Sequence, residues 1–329
     1  GLKKNTLEPV AVRLGELLGQ EVIFSPETRG DSLVALVNAM KDGDVLLVQN
    51  TRFEKGETKN DPELSKAWAA LADAFVMDAF GSAHRAHAST YGVPEILKSE
   101  GKEVAIGYLV EKEVVNLSKV VKCEERPYIA ILGGFKVSDK IKVINSLLKK
   151  CDKILIGGAM AYTFVKALGG EIGTSPAEMD QLDYAKEMYA SGKILLPVDT
   201  VCANDFDNPT EVKVVDSDKI PEGFEGLDIG PKTREIYAVE IAKAKTIFWN
   251  GPMGVFEKDA YQAGTIAVCK ACAELKGKAF TVIGGGDSAA ACKQFGYSSE
   301  FSHVSTGGGA SLEMIENDGH LPGIDVIGE

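Results

Sequence analysis

Short β-rich runs alternate with helical stretches along the whole chain. This alternation constrains the fold most, because strands that alternate with helices form parallel sheets covered by helices on both faces. We therefore predict an α/β protein. The predicted strands are Glu21–Ser25, Asp44–Val48, Ala74–Met77, Tyr128–Leu132, Lys153–Ile156, Lys193–Val198, Thr246–Trp249, Phe280–Ile283 and Phe301–Val304. The predicted helices include Leu7–Leu18, Pro62–Leu71, Ser138–Lys149, Pro231–Ala242 and Tyr261–Leu275.

The length of 329 residues favours two domains, because a single hydrophobic core rarely grows to that size. A charged helical stretch, Val110–Lys122, marks the predicted boundary, and the segment Glu124–Pro127 after it breaks the helix and starts a new strand. We therefore predict two doubly wound, Rossmann-like parallel-sheet domains joined by a helix and a hinge.

The charge and the cysteines restrict the possible functions. The formal net charge of -12 is unfavourable for binding nucleic acid, because that affinity comes from neutralising phosphates with Lys and Arg. No apolar run approaches the roughly 20 residues that span a bilayer, and no leader sequence is visible, so we expect no membrane partner. Cys269 and Cys272 form a CxxC pair without two further ligands at suitable spacing, which favours helix packing over zinc binding. Scattered cysteines fit a reduced, cytoplasmic setting.

Four β-runs end in glycines, and we predict that each turns directly into a helix. In a parallel sheet such turns share the carboxyl edge, where α/β folds bind ligands. Glycine lets the backbone approach an anion, and a following helix offers unpaired N–H groups and a partial positive charge. The turns therefore predict a polyphosphate site, to which Lys136, Lys140 and Asp287 add charged groups. The glycine pairs and triplets are Gly133-Gly134, Gly157-Gly158, Gly284-Gly285-Gly286 and Gly307-Gly308-Gly309.

The residues in these turns help to distinguish between classes of nucleotide-binding enzyme. No P-loop motif is present in the sequence. Gly284-x-Gly286-x-x-Ala289 matches the loose dinucleotide fingerprint, but the acidic residue expected about 20 positions later at the next strand end is missing. A dehydrogenase therefore stays an alternative. Asp287 instead suits Mg²⁺, which one or two carboxylates and phosphate oxygens usually hold.

Two basic patches follow predicted strands in the first half of the chain. Arg52 follows one strand, and His84, Arg85 and His87 follow another. Because arginine binds phosphate and carboxylate oxygens through two parallel hydrogen bonds, these residues predict a pocket for a small anionic substrate. The two histidines lack the glutamate and third ligand of the zinc protease motif, so we expect no metal there.

Taken together, these segments resemble the phosphoglycerate kinase family along essentially the whole chain. The resemblance rests on the order, spacing and content of Asn50–Phe53, Asp78–Ser89, Gly133–Lys140, Gly226–Pro231, Trp249–Glu257, Gly284–Ser288 and Ser305–Ala310.

The resemblance implies reversible, Mg²⁺-dependent phosphoryl transfer from 1,3-bisphosphoglycerate to ADP, giving 3-phosphoglycerate and ATP in glycolysis, by a monomeric hinge-bending enzyme. It implies an incomplete sugar-acid-binding domain at residues 1–110, an interdomain helix at 111–122, a nucleotide-binding domain at 123–310, and a segment at 311–329 that returns toward the first domain. Lys136 is the expected catalytic residue, Arg52, Arg85 and His84 the sugar-acid contacts, and Asp287 the metal ligand. The expected nucleotide-binding residues are Gly133, Gly134, Lys140, Gly157, Gly158, Gly226, Pro231, Asn250, Glu257, Gly285, Gly286, Asp287, Ser288, Gly307 and Gly308.

Two departures from the family pattern stand out. The family's chain usually begins with a strand carrying Asp-Phe-Asn, a further arginine and a His-Leu-Gly-Arg-Pro loop, and Gly1–Leu18 resembles the helix that follows them. We therefore expect the chain as numbered to lack the family's catalytic arginine and to turn over slowly, and a truncated nucleotide-binding module without turnover stays an alternative. The second departure is Phe135, where the family usually has a small residue.

The chemistry expected from the resemblance needs no general base. Carboxylate and phosphate acceptors are already deprotonated at neutral pH. The remaining work is to position the substrates and to neutralise charge on the moving phosphoryl group, which lysine, Mg²⁺ and helix N-termini can do.

Overall fold

The computed structural model of the protein describes residues 2–328. It divides into two compact units. Among the described residues, 2–111 and 320–328 form unit 1, and 112–319 form unit 2. No helix within residues 2–328 is both long and apolar enough to cross a membrane.

The secondary structure follows the predicted alternation. The strands are β1 Val22–Ser25, β2 Val45–Val48, β3 Ala74–Met77, β4 Glu103–Ile106, β5 Tyr128–Leu132, β6 Lys153–Ile156, β7 Glu171–Ile172, β8 Ile194–Leu195, β9 Asp199–Ala203, β10 Val212–Asp216, β11 Lys219–Ile220, β12 Glu225–Ile229, β13 Thr246–Asn250, β14 Phe280–Ile283 and β15 His303–Val304. The α-helices are α1 Glu8–Leu18, α2 Asp31–Asn38, α3 Pro62–Ala69, α4 Val93–Ser99, α5 Tyr108–Lys122, α6 Ile141–Leu148, α7 Met160–Ala167, α8 Leu182–Tyr189, α9 Pro231–Ala242, α10 Ala263–Ala273, α11 Gly286–Gln294, α12 Gly309–Glu316 and α13 Pro322–Asp325.

Unit 1 contains two parallel strand pairs, β1–β2 and β3–β4. Its helix α3 begins at Pro62, and the Asp61 carboxylate accepts a hydrogen bond from Leu64 N at 2.9 Å, which satisfies one free donor of the first turn. The helices α3 and α4 bury Leu64, Trp68 and Leu97 in a local core. This core includes Ala88 of the segment that follows β3.

Unit 2 is built around a parallel six-stranded sheet with the order β15-β14-β13-β5-β6-β8. All residues of β5 and β13 are buried, as expected for central strands covered on both faces. Trp249 of β13 lies opposite Ile131 of β5 and is fully buried in the main core. Unit 2 also contains two smaller sheets, the antiparallel β10-β9-β12 and the parallel pair β11-β7.

The predicted α/β class is confirmed, and the four glycine-ended strands β5, β6, β14 and β15 do belong to one sheet. Several details differ from the prediction. The strand Phe301–Val304 shrinks to β15, His303–Val304, and β4 was not predicted. The predicted strand Lys193–Val198 shrinks to β8, Ile194–Leu195, because Pro197 cannot donate to a strand ladder. The first glycine turn does not lead directly into a helix, since α6 begins only at Ile141. The antiparallel sheet was not predicted at all.

Candidate functional site

A cleft of about 220 Å³ lies at the carboxyl edge of the six-stranded sheet, within unit 2. We call it the strand-end cleft. It has polar groups at its rim and apolar groups on its walls, the usual make-up of a small-molecule site. It is lined by Gly134, Phe135, Gly158, Ala159, Tyr162, Gly226, Leu227, Pro252, Gly254, Val255, Glu257 and Asp287.

The glycines of the cleft are required by close backbone contacts. Gly158 has a φ of +70°, and a Cβ there would lie 2.7 Å from the backbone N of Gly134. A Cβ on Gly133 would lie 1.9 Å from the carbonyl oxygen of Pro252. The turns after β5, β6 and β13 therefore pack backbone against backbone, with no room for a side chain at Gly133 or Gly158.

A polar network beneath the cleft fixes the strand ends. The Lys140 ammonium donates a hydrogen bond to Asn250 Oδ1, and Asn250 Nδ2 donates to Gly284 O at 2.7 Å. Ser288 Oγ donates to Gly284 O at 3.0 Å and accepts from Gly251 N at 3.3 Å. Burial lowers the pKa of Lys140, while Asp139 and Asp287 counteract that shift. Asn250 and Ser288 are both predicted to bind nucleotide. Both are buried, are not among the residues that line the cleft, and hold the turns through these hydrogen bonds.

Two predicted residues present charge at the surface of the site. Lys136, in the turn after Gly134, is exposed. Asp287, the second residue of α11, is also exposed and lines the cleft without a hydrogen bond or ion pair to any described residue. Helix α11 follows Gly285, whose φ of +104° turns the chain sharply at the end of β14. Phe135, directly before Lys136 in sequence, is 64% exposed and lines the cleft.

Asp287 can hold Mg²⁺ only together with a ligand. Within residues 2–328 there is no group of three or more His, Cys, Asp or Glu side chains placed to bind a metal ion. One exposed carboxylate next to a phosphate site nevertheless matches the way proteins bind Mg²⁺, through one or two carboxylates and substrate oxygens. The residues therefore fit a metal that arrives with a nucleotide.

The other predicted nucleotide residues fall into two groups. Gly226 and Glu257 line the cleft, whereas Pro231 is not among its lining residues. Pro231 begins α9, and the N–H groups of Lys232 and Thr233 in its first turn donate to the Asp199 carboxylate at 2.9 Å each. Those donors are therefore already satisfied within the protein.

The last glycine turn, Gly307 and Gly308, leads into α12 and is held by a buried carboxylate that the sequence did not reveal. Glu113 of α5 accepts hydrogen bonds from Thr306 N at 2.9 Å and Ser305 Oγ at 2.8 Å, and it contacts His303 Nε2 at 2.8 Å. Burial acts to raise the pKa of Glu113, but these hydrogen bonds hold it below its usual value.

A second missed carboxylate, Asp228, lies beneath the cleft wall formed by Gly226 and Leu227. It accepts hydrogen bonds from Ile229 N at 2.9 Å and Gly264 N at 2.8 Å. Burial raises its pKa to about 7, against the effect of these two backbone donors. Apart from its place in the segment Gly226–Pro231, nothing in the sequence distinguishes Asp228 from an exposed aspartate.

The predicted basic residues meet in unit 1 after β2 and β3. We call Arg52, His84, Arg85 and His87 the basic cluster. Asn50 Oδ1 accepts a hydrogen bond from Arg52 N at 2.9 Å and fixes the turn that carries this arginine. Burial lowers the pKa of His87; the positive charges of Arg52 and Arg85 add to that shift, and the Glu57 carboxylate opposes it. These electrostatic interactions indicate that the basic residues lie near one another.

A larger cleft, of about 830 Å³, lies elsewhere in unit 2. Thr246 and Phe280, the first residues of β13 and β14, line it, so it lies at the amino ends of the strands. Ligands of open parallel sheets bind outside the carboxyl ends, which favours the strand-end cleft as the functional site.

Comparisons with known proteins agree with this geometry. A family model described as phosphoglycerate kinase matches residues 2–318. The phosphoglycerate kinase of Enterococcus faecalis is 55% identical over 330 residues, which cover 98% of this chain and 82% of that protein. The solved structure of phosphoglycerate kinase from Coxiella burnetii has a TM-score of 0.86 at 38% identity, and covers 98% of this chain and 80% of its own. That from Pyrococcus horikoshii OT3 has a TM-score of 0.83 at 32% identity, with coverages of 98% and 82%.

Proposed function

The chain belongs to the phosphoglycerate kinase family, and from this premise we propose how its residues divide the work of the reaction. The reaction is glycolytic phosphoryl transfer between 1,3-bisphosphoglycerate and ADP, which gives 3-phosphoglycerate and ATP. The protein is thus a phosphotransferase with small-molecule substrates, and not a dehydrogenase. The observation that carries the division of roles is the convergence of four glycine-ended strands on one edge of one sheet.

The strand-end cleft binds the nucleotide. Its apolar wall at Leu227 and Val255 accommodates a base, and Glu257 at its rim offers a carboxylate to ribose hydroxyls. The glycine turns at Gly133-Gly134 and Gly157-Gly158 carry no side chains that would block close approach of the phosphates, and the first turns of α11 and α12 offer them N–H groups. Lys140 contributes charge to this end of the site while it holds Asn250 in place.

Lys136 is the residue that acts on the phosphoryl group during transfer. Its ammonium is exposed beside the glycine turn, so it is free to follow a group that changes its bonding partner. Neither acceptor oxygen needs deprotonation at neutral pH, so stabilising the charge of the transition state is the main task. A compact lysine charge suits that task better than a general base does.

Asp287 would hold Mg²⁺ that arrives with the nucleotide. When bound, the metal would neutralise phosphate charge beside the start of α11. The support is the exposed, unpaired carboxylate at the cleft.

The basic cluster of unit 1 binds the sugar acid. Arg52 and Arg85 contact its phosphate and carboxylate, and His84 lies in the same turn as Arg85. The basic cluster stands out in a chain with a net charge of -12, which supports a local anion site and argues against nucleic acid as a partner. A cytoplasmic location agrees with six free, buried cysteines. A monomeric state stays a prediction that native mass would test.

The assignment of ligands is tested by calorimetric titration with ADP, ATP and NAD, followed by an assay of ATP formation from the acyl phosphate. We expect binding of ADP and ATP and formation of ATP. Binding of NAD without binding of ATP would contradict the proposal, and nucleotide binding without ATP formation would favour a binding module.

A further inference from the structure

A buried carboxylate holds the basic cluster together. The side chain of Glu57 is 0% exposed, and its Oε2 lies 3.2 Å from Nη1 of Arg52. Its Oε1 accepts a hydrogen bond from Ser89 N at 2.8 Å, and its Oε2 accepts one from Ser89 Oγ at 2.7 Å. The carbonyl oxygen of Glu57 also accepts from Ala88 N at 2.8 Å.

These contacts join the two turns that carry the cluster. Arg52 lies in the turn after β2, and Ala88 and Ser89 directly follow the turn with Arg85 and His87. A fully buried carboxylate is costly unless it is paired and hydrogen-bonded, and Glu57 meets both conditions through the two turns. The position of one turn is therefore coupled to the position of the other through this one side chain.

We propose that Glu57 is a positioning residue for the sugar acid, because it fixes the guanidinium of Arg52 against the turn that carries Arg85. This inference rests on the proposed sugar-acid site. Arg52 is 45% exposed, so without an anchor its long side chain would lose rotamer freedom on binding. Glu57 orders the guanidinium before the ligand arrives and leaves part of its fork open for the substrate.

Simple electrostatics gives the opposite prediction. A carboxylate next to an anion site repels the anion, so removing its charge should strengthen binding. Positioning instead predicts that binding weakens when the charge is removed. The sign of the change therefore separates the two roles.

The experiment compares Glu57→Gln with the unchanged protein by calorimetry, with 3-phosphoglycerate as the probe. We expect the affinity to fall about tenfold or more, and the KM for 3-phosphoglycerate to rise while the KM for ATP stays constant. Glu54→Gln is the matched control, since Glu54 lies in the same turn but pairs with Arg29. We expect this control to bind 3-phosphoglycerate like the unchanged protein.

Two further variants keep the proposal testable. Glu57→Asp retains the charge but retracts it by one methylene, so it should also weaken binding, and unchanged binding would overturn the positioning role. In a background of Arg52→Ala, Glu57→Gln should have little further effect, because its influence passes through Arg52. An equal loss in both backgrounds would overturn the proposal.

Folding is monitored separately from binding. Trp68 belongs to the core of unit 1 and donates a hydrogen bond to Thr28 O at 2.7 Å. Trp249 is buried in unit 2, so a change in tryptophan fluorescence on replacing Glu57, in unit 1, is read as loss of the unit 1 core. Stronger or unchanged binding by folded Glu57→Gln would refute the inference. Failure of the unchanged protein to bind 3-phosphoglycerate would instead refute the proposed site itself.

Discussion

Replacement of Lys136 by alanine separates transition-state stabilisation from substrate binding. The side chain is exposed and makes no hydrogen bond or ion pair with a described residue, so the free energy of unfolding should change by less than about 0.5 kcal/mol. Lys140 offers the contrast, because its ammonium is half-buried and bonded to Asn250. We expect Lys140→Ala to lower stability as well as nucleotide affinity.

The expected change in kcat for Lys136→Ala follows from the negative charge that develops on the phosphoryl group near its ammonium. A unit charge about 4 Å from a developing negative charge contributes about 4 kcal/mol at an effective dielectric constant of about 20. Loss of one preorganised donor of this kind costs about a hundredfold to a thousandfold in kcat. We therefore expect Lys136→Ala to lower kcat by about a hundredfold or more, with a much smaller change in the affinity for ADP.

The assay is steady-state ATP formation with varied ADP and varied acyl phosphate. Lys142→Ala is the matched control, because it removes an exposed lysine charge in α6, outside the glycine turn that carries Lys136. An increase in KM alone would show that Lys136 contacts ground state and transition state equally, which refutes the reasoning. An equal loss of kcat in Lys142→Ala would show that the effect comes from overall positive charge and not from the position of Lys136.

Three other substitutions test the remaining assignments. Asp287→Asn should weaken binding of Mg-ADP but not of metal-free ADP in calorimetry, and unchanged Mg-ADP affinity would remove the metal assignment. Arg85→Ala should raise the KM for the sugar acid while nucleotide affinity stays intact; equal loss of both would point to unfolding. Burial raises the pKa of Asp228 to about 7, whereas an aspartate in the unfolded state releases its proton near pH 4. Between about pH 4 and 7 the folded state therefore binds more protons than the unfolded state. The contribution of Asp228 to the free energy of unfolding thus falls as the pH rises through this range. Asp228→Asn should therefore gain stability relative to the unchanged protein across that range in urea titrations, and a pH-independent difference would contradict the shift.

The strand ends could be predicted because they follow local rules. Gly158 and Gly285 adopt φ values of +70° and +104°, which favour glycine, and each follows an apolar run. The sequence therefore displays both the strand and its turn. Lys136 and Asp287 could be selected because they stand next to such turns.

The antiparallel sheet could not be predicted in the same way. Strand β10 alternates exposed and half-buried residues, and β12 contains Gly226 and Asp228, which are unfavourable in strands. Strand β12 forms because its partner β9 and the buried hydrogen bonds of Asp228 compensate, and these interactions are tertiary. Local propensity carries no information about them.

The buried carboxylates were missed for a related reason. Glu57 and Glu113 look like ordinary surface residues in the sequence, since acidic side chains are rarely fully buried. What buries them are partners far along the chain, Ser89 for Glu57 and Thr306 for Glu113. Such supporting residues become visible only when the turns that they join are placed in space.

The central claim is that this chain itself transfers a phosphoryl group through the strand-end cleft. The direct test mixes protein in excess over ATP with 3-phosphoglycerate and Mg²⁺ and follows ³¹P resonances, so that even a slow single turnover is detected. We predict formation of ADP and the acyl phosphate of 1,3-bisphosphoglycerate by the unchanged protein, and a rate lower by about a hundredfold in Lys136→Ala. Bound ATP that stays intact in the presence of bound 3-phosphoglycerate, or transfer at the same rate in both proteins, would contradict the account.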